Sequence, residues 1–103
     1  MKVQNGISMS YVLIRHKVGD YAKWKRTVLA CAEWRKAGGE LSFQVLRNSS
    51  APNDLAVLCR WANSDQARKF VASAALRERM REAGVVGKPQ IQFFKSSEDL
   101  SVA

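Results

Sequence analysis

Two of the strand-like segments in this chain are apolar on both of their sides. In residues 11–18, Val12, Ile14 and Val18 fall on one side and Tyr11 and Leu13 on the other. Residues 55–61 repeat the arrangement, with Leu55, Val57, Cys59 and Trp61 on one side and Ala56 and Leu58 on the other. Successive side chains of a strand point to opposite faces, so a sheet built on such strands needs cover on both. The chain has 103 residues, enough for one domain with a modest core. Whatever covers the second face has to come from outside that core.

The remaining segments supply cover for one face only. After the first strand, Gly19 and Asp20 mark a stop and a helix cap. Tyr21, Trp24, Val28, Cys31 and Ala32 then recur at helical spacing along one helix, which Gly38 and Gly39 end. Leu41, Phe43 and Val45 alternate with Ser42 and Gln44, a half-buried strand that continues to Arg47. A turn over 48–54 connects it to the strand 55–61 as a hairpin. Asn63 or Ser64 caps a second helical region whose face is Ala67, Phe70, Val71 and Ala74. Beyond Ser73 the apolar positions jump to Leu76, Met80 and Ala83, a phase break that predicts a bend or two short helices. Gly84 and the sequence Gly87, Lys88, Pro89 end the helical part, and residues 91–94 form the last strand.

The order is β-α-β-β-α-β. It predicts an α+β, ferredoxin-like domain over residues 10–96: a four-stranded antiparallel sheet with helices on one face. Tails are expected over 1–9, a flexible N-terminal one, and over 97–103. The uncovered apolar face is expected to meet a second copy of the chain, making a homodimer. Residues 1–8 carry one lysine and no apolar core, unlike a secretory signal, and Met9 is a plausible alternative start. No apolar run is long enough to span a membrane. Two cysteines, Cys31 and Cys59, lie inside apolar runs and read as free thiols of a cytoplasmic protein.

With 17 Lys and Arg against 9 Asp and Glu, the formal charge is +8. An RNA-recognition domain shares this element order and basic balance. It needs exposed aromatics on its central strands, where this chain has aliphatics, and its basic residues are interleaved with acids. Nucleic-acid binding is therefore not the expected function. A single histidine without a second one or a nearby pair of carboxylates does not make a metal site, and no metal is expected.

The run Tyr11-Val12-Leu13-Ile14-Arg15-His16-Lys17-Val18-Gly19-Asp20-Tyr21-Ala22-Lys23-Trp24-Lys25 resembles the opening of a known group of small proteins. These are the dimeric α/β-barrel proteins of the antibiotic-biosynthesis-monooxygenase-like and cyclase-like group. Arg35-Lys36-Ala37-Gly38-Gly39 is similar to the end of their first helix. Val57-Leu58-Cys59-Arg60-Trp61, Ala67-Arg68-Lys69-Phe70 and the stretch 76–85 resemble their third strand, second helix and closing helical turn. The likeness implies two sheets packed face to face, one pocket per subunit, and cofactor-free oxygenation or cyclisation of a small aromatic or polyketide-like molecule. A haem-degrading branch has a tryptophan at the position of Trp61. Its haem-ligating histidine would fall near Phe70 and Val71, where this chain has none, so no cofactor is expected.

The residues themselves suggest a pocket. Tyr21, Trp24, Trp61, Phe70 and Phe93 offer aromatic walls suited to a flat ligand, and equally to a plain core. Trp34 falls off the inner stripe and is assigned to the surface or the dimer contact. Arg35 projects inward at the last turn of its helix, to bind an anionic ligand or to complement the helix dipole. Cys31 lies on the same stripe. His16, the only histidine, is the candidate catalytic base, with a structural, hydrogen-bonded histidine as the competing assignment. Two function classes follow: a cofactor-independent monooxygenase or cyclase-like enzyme, and a non-catalytic ligand-binding or interaction module.

Overall fold

The computed structural model describes residues 9–102. Of the expected N-terminal tail, residues 1–8 lie outside the described residues; the Met9 carbonyl accepts a hydrogen bond from the Ser96 amide at 3.0 Å. In chain order the elements are β1 (Ser10–Val18), α1 (Tyr21–Ala30), α2 (Ala32–Ala37), β2 (Glu40–Arg47), β3 (Asp54–Trp61), α3 (Ser64–Ala72), α4 (Ala74–Glu82) and β4 (Val85–Lys95). The strands form one antiparallel sheet in the order β2-β3-β1-β4. With the helices on one face, this is the ferredoxin-like arrangement expected from the element order.

The buried side of the sheet is the one the alternation assigns. Val12, Ile14, Val18, Leu55, Val57, Cys59 and Trp61 meet Trp24, Ala67, Phe70, Leu76 and Ala83 from the helical layer. Caps set where the helices begin. Asp20 accepts from the Lys23 amide, Asn63 from the amides of Asp65 and Gln66, and Ser73 from that of Leu76. Ser73 is extended (φ −73°, ψ 144°), so the second helical region is two helices and Ala74 is exposed.

The first helical region departs from the single helix expected. It breaks at Cys31 (φ −94°, ψ 9°), whose amide closes back on the Val28 carbonyl three residues earlier. The break changes which side of the following turn faces the sheet. Ala32, expected inside, is exposed, and Trp34, expected outside, packs on Phe70 with ring centroids 4.6 Å apart.

Two strands also differ from their sequence pattern. An extra residue in β2, between the pairs Glu40–Trp61 and Ser42–Arg60, makes a bulge at Leu41. Leu41 is turned out at 51 % exposure and Glu40 is turned in at 7 %. The last strand starts at Val85 rather than at 91, because Gly87, Lys88 and Pro89 form a bulge inside β4 instead of a loop before it.

Among the described residues, the other side of the sheet carries no helix. Cross-strand register places Tyr11, Leu13, Leu46, Ala56, Leu58 and Phe94 there, with Arg15 and Lys17 toward one end. Among the described residues no helix is long and apolar enough to cross a membrane.

Candidate functional site

Between sheet and helices lies a cavity of about 50 Å³. Its floor is the inward row of β1 and β3, including Val12, Ile14, Val57 and Cys59, and its roof comes from Trp24, Trp34, Phe70, Leu76 and Met80. His16, Trp24, Cys31, Arg35, Trp61 and Phe70 all line it. Tyr21 and Phe93, the other two pocket candidates from the sequence, lie outside that lining. Tyr21 stacks on Trp24 at 5.7 Å and carries the Arg47 guanidinium 3.8 Å from its ring centre; Phe93 is covered by Arg68 at 4.2 Å.

The glycines after α2 let the roof close. A Cβ on Gly38 would stand 2.9 Å from a Phe70 ring carbon, and one on Gly39, at φ 109°, would stand 2.6 Å from Gln66. Phe70 can therefore pack down beside Trp61, with centroids 5.1 Å apart, and under Trp34. Arg79 completes this end by stacking its guanidinium 4.3 Å above Trp34.

One wall is ionic. Arg35 donates to Glu40 through Nε at 2.5 Å and through Nη2 at 2.9 Å, a two-pronged pair with side chains 13 % and 3 % exposed. The Arg35 guanidinium also lies 4.2 Å above Phe43 and 3.8 Å from Cys59 Sγ. Arg35 thus lines the cavity already paired with a carboxylate of its own chain. Sequence reasoning missed Glu40. Its alternation places Leu41 inward, and only the bulge moves the acid inside. Burial, then the Glu40 carboxylate, push the Cys59 thiol well up, so it is no nucleophile at neutral pH.

Four buried side-chain atoms in the cavity lining have no hydrogen-bond partner among the described residues: both ring nitrogens of His16, Trp61 Nε1 and Arg79 Nε. They sit toward opposite ends. On the sheet Trp61 pairs with Ser10 and Leu55 with His16, so the two rows are six residues apart, about 20 Å of strand. The Trp61 end offers two N–H donors, one of them cationic. The His16 end offers an imidazole whose ring lies 5.7 Å from that of Trp24. Leaving a buried polar group unpaired costs roughly 1–3 kcal/mol, and here the groups share one cavity.

Burial lowers the His16 pKa below its ordinary 6.5, and the Asp54 charge opposes this in part. A histidine held neutral in the fold binds fewer protons than in the unfolded chain. Stability is therefore full above pH 6.5 and falls as the pH drops from there toward the lowered value. His16→Gln should remove this dependence, so the stability difference between wild type and variant, measured by urea unfolding, shrinks in that acid range. A difference that stays flat would mean that His16 is not held neutral.

The cavity is narrow. A site of roughly 150 Å³ admits a benzene ring, so a ring can enter here only if part of the wall moves. Val71, Leu76 and Met80 are the thin part. The same three side chains floor an outer groove of about 460 Å³ between α4 and β4, edged by Arg77, Arg81 and Lys88. Met80 has three rotatable bonds and no branch, which makes it the adaptable member. No group of three or more His, Cys, Asp or Glu suited to a metal ion occurs among the described residues.

The sequence matches no protein-family model and no curated protein. The fold does match solved structures. A proposed antibiotic biosynthesis monooxygenase from Bordetella bronchiseptica superposes with a TM-score of 0.74 at 18 % identity, over 90 % of this chain and 99 % of that one. Another, from Caulobacter crescentus, gives 0.68 at 22 % identity, over 88 % and 92 %. SnoaB, a cofactor-independent oxygenase from Streptomyces nogalater, gives 0.70 at 15 % identity, over 92 % and 98 %. At these identities the likeness is one of fold, and the fold is the one the resemblance in sequence implied.

Proposed function

We propose that the chain is a cofactor-independent, monooxygenase-like enzyme acting in the cytoplasm on a flat, conjugated, weakly acidic aromatic molecule. The carrying observation is the set of unpartnered buried donors and the imidazole along one apolar slot. In a conjugated ligand, a proton taken at one end leaves charge that spreads to an oxygen at the other. His16, held neutral, is the base; the Trp61 N–H and Arg79 receive the developing oxyanion. Aromatic walls hold the ring system flat and keep water out. Dioxygen would then supply one oxygen atom to the ligand carbon, whose two hydrogens leave with the second atom as water. The fold shared with SnoaB, itself a cofactor-independent oxygenase, supports the reaction class. Two unpaired cysteines fit a reducing compartment. The same slot also suits a ligand carrier, and turnover separates the two functions.

4-Nitrophenol tests the anion-receiving end, because its phenolate is coloured. Binding should lower its apparent pKa by about one unit or more, as a cation within a few ångströms does. Trp61→Phe and Arg79→Gln should each weaken the colour change. No spectral change at millimolar probe would overturn the assignment. With a dihydroxynaphthalene as substrate, oxygen uptake lost in His16→Gln marks the enzyme; binding without uptake marks the carrier.

A further inference from the structure

His16 is approached from outside as well as from the cavity, and β4 is the reason. In the pairing of β1 with β4, Arg15 faces Gln90 and Lys17 faces Val86. A single residue of β1, His16, therefore spans three of β4: Gly87, Lys88 and Pro89. Gly87 takes the left-handed backbone at φ 75°, and proline has no N–H to offer a ladder. The bulge removes the cross-strand neighbour that would cover His16 on this side. A groove of about 350 Å³ lies there, with His16, Asp54, Gly87, Lys88 and Gln90 in its lining. His16 is thus common to the wall of the inner cavity and the wall of an open groove, while only 7 % exposed and without a partner among the described residues at either nitrogen.

We infer that His16 is a two-sided proton shuttle: one ring nitrogen serves the cavity, and the other exchanges protons with water in the groove behind the β4 bulge. The inference rests on the proposed function only for the identity of the proton donor. In each cycle the neutral imidazole takes the ligand's proton at one nitrogen and becomes imidazolium. It then releases the proton on the other nitrogen to groove water, leaving the neutral ring in its other tautomer. As the oxygen product forms, the cavity-side N–H gives its proton to that oxygen while groove water re-protonates the outer nitrogen. The first tautomer is restored and no net proton is left over, the ligand's two hydrogens ending in water.

The surroundings favour release over storage. Arg15 and Lys17 flank His16 on its own strand, and Lys88 faces it from the bulge. Across the cavity stand Arg79 and the mutually neutralised pair Arg35–Glu40. Asp54, on β3, is the one carboxylate in the groove lining. Burial likewise disfavours the cation. A proton arriving from the cavity is therefore passed outward, and the ligand's own exit route, past Met80, is left free of it.

Because the chain has one histidine, its ring N–H signals in a 15N-labelled sample are unambiguous. The wild-type ring proton should exchange with water far faster than the amides of Ile14 and Val57 beside it. Val86→Trp and Gln90→Trp place a ring over the groove from exposed positions and should each slow that exchange by at least about tenfold. Saturating 4-nitrophenol should leave it within about twofold. A wild-type ring proton as slow as the neighbouring amides overturns the shuttle. So does fast exchange that neither variant slows, or that the cavity probe alone stops. The exchange needs no turnover, so a chain that binds no aromatic fails the proposed function and still answers this question.

Discussion

Glu40→Ala is expected to be the most destabilising single change in the cavity wall. The substitution leaves the Arg35 guanidinium, 13 % exposed and fixed over Phe43, without its carboxylate. Removing one partner of a buried ion pair costs about 3–5 kcal/mol, because the other charge stays desolvated. A domain of this size has only about 5–15 kcal/mol in total. The midpoint of thermal unfolding should fall by about 12 °C or more. Arg35→Ala should do comparable harm from the other side, since it strands a carboxylate with 3 % exposure. The double variant Arg35→Met with Glu40→Leu should recover most of the loss, as apolar residues of similar volume usually do in place of a buried pair. Additive losses in the double variant would show that Glu40 and Arg35 act separately and that the ionic wall is not a unit.

The same pair marks where the sequence stops being legible. Apolar alternation in 11–18 and 55–61 sufficed for the buried side of the two central strands, because period two leaves no freedom once one residue is placed. The cap at Asp20, and Asn63 as one of two candidates, were readable for a similarly local reason: a side chain and an amide two or three residues away decide them. Ser73 showed only as the place where the helical phase breaks. What the pattern could not carry were the irregularities. The break at Cys31 turns Trp34 into the cavity and Ala32 out of it. The bulge at Leu41 exchanges an apolar residue for an acid on the inside, and the bulge at Gly87 makes a strand of what reads as a loop. Each depends on partners distant in sequence, Arg35 for Glu40 and Phe70 for Trp34. His16 and Trp61 were visible as candidates; the absence of a partner for their nitrogens among the described residues is a three-dimensional fact. Tyr21 was plausible by helical spacing and lies beyond Trp24, under Arg47.

Leu58→Asp should convert a dimer into a monomer. The helix-free face of the sheet carries Leu13 and Leu58 as direct cross-strand partners on the two central strands, with Tyr11 and Ala56 beside them. Leu46 and Phe94, 47 % and 48 % exposed, extend the patch to both edge strands. The apolar residues are staggered among Ser42, Gln44, Arg60 and Gln92 of the same face, and an exposed apolar cluster of this kind marks an interaction surface. We propose that a second copy covers it, sheet against sheet, about a two-fold axis. Lys17, opposite Asp54 in the last pair of the two central strands, then lies toward the rim. In such a self-complementary contact every residue occurs twice, so one substitution buries two carboxylates near the axis. At several kcal/mol for each uncompensated ion, the dissociation constant should rise by at least about a thousandfold. Sedimentation should give about 23 kDa for the wild type, twice the 11.5 kDa chain, and the monomer mass for Leu58→Asp. Lys17→Asp, a charge change at the rim, should leave the dimer intact. A wild type that sediments at 11.5 kDa even at its highest soluble concentration would mean that the patch serves a different partner or none. In that case the two-sided strands would need another account, because the helices on this chain reach only one face.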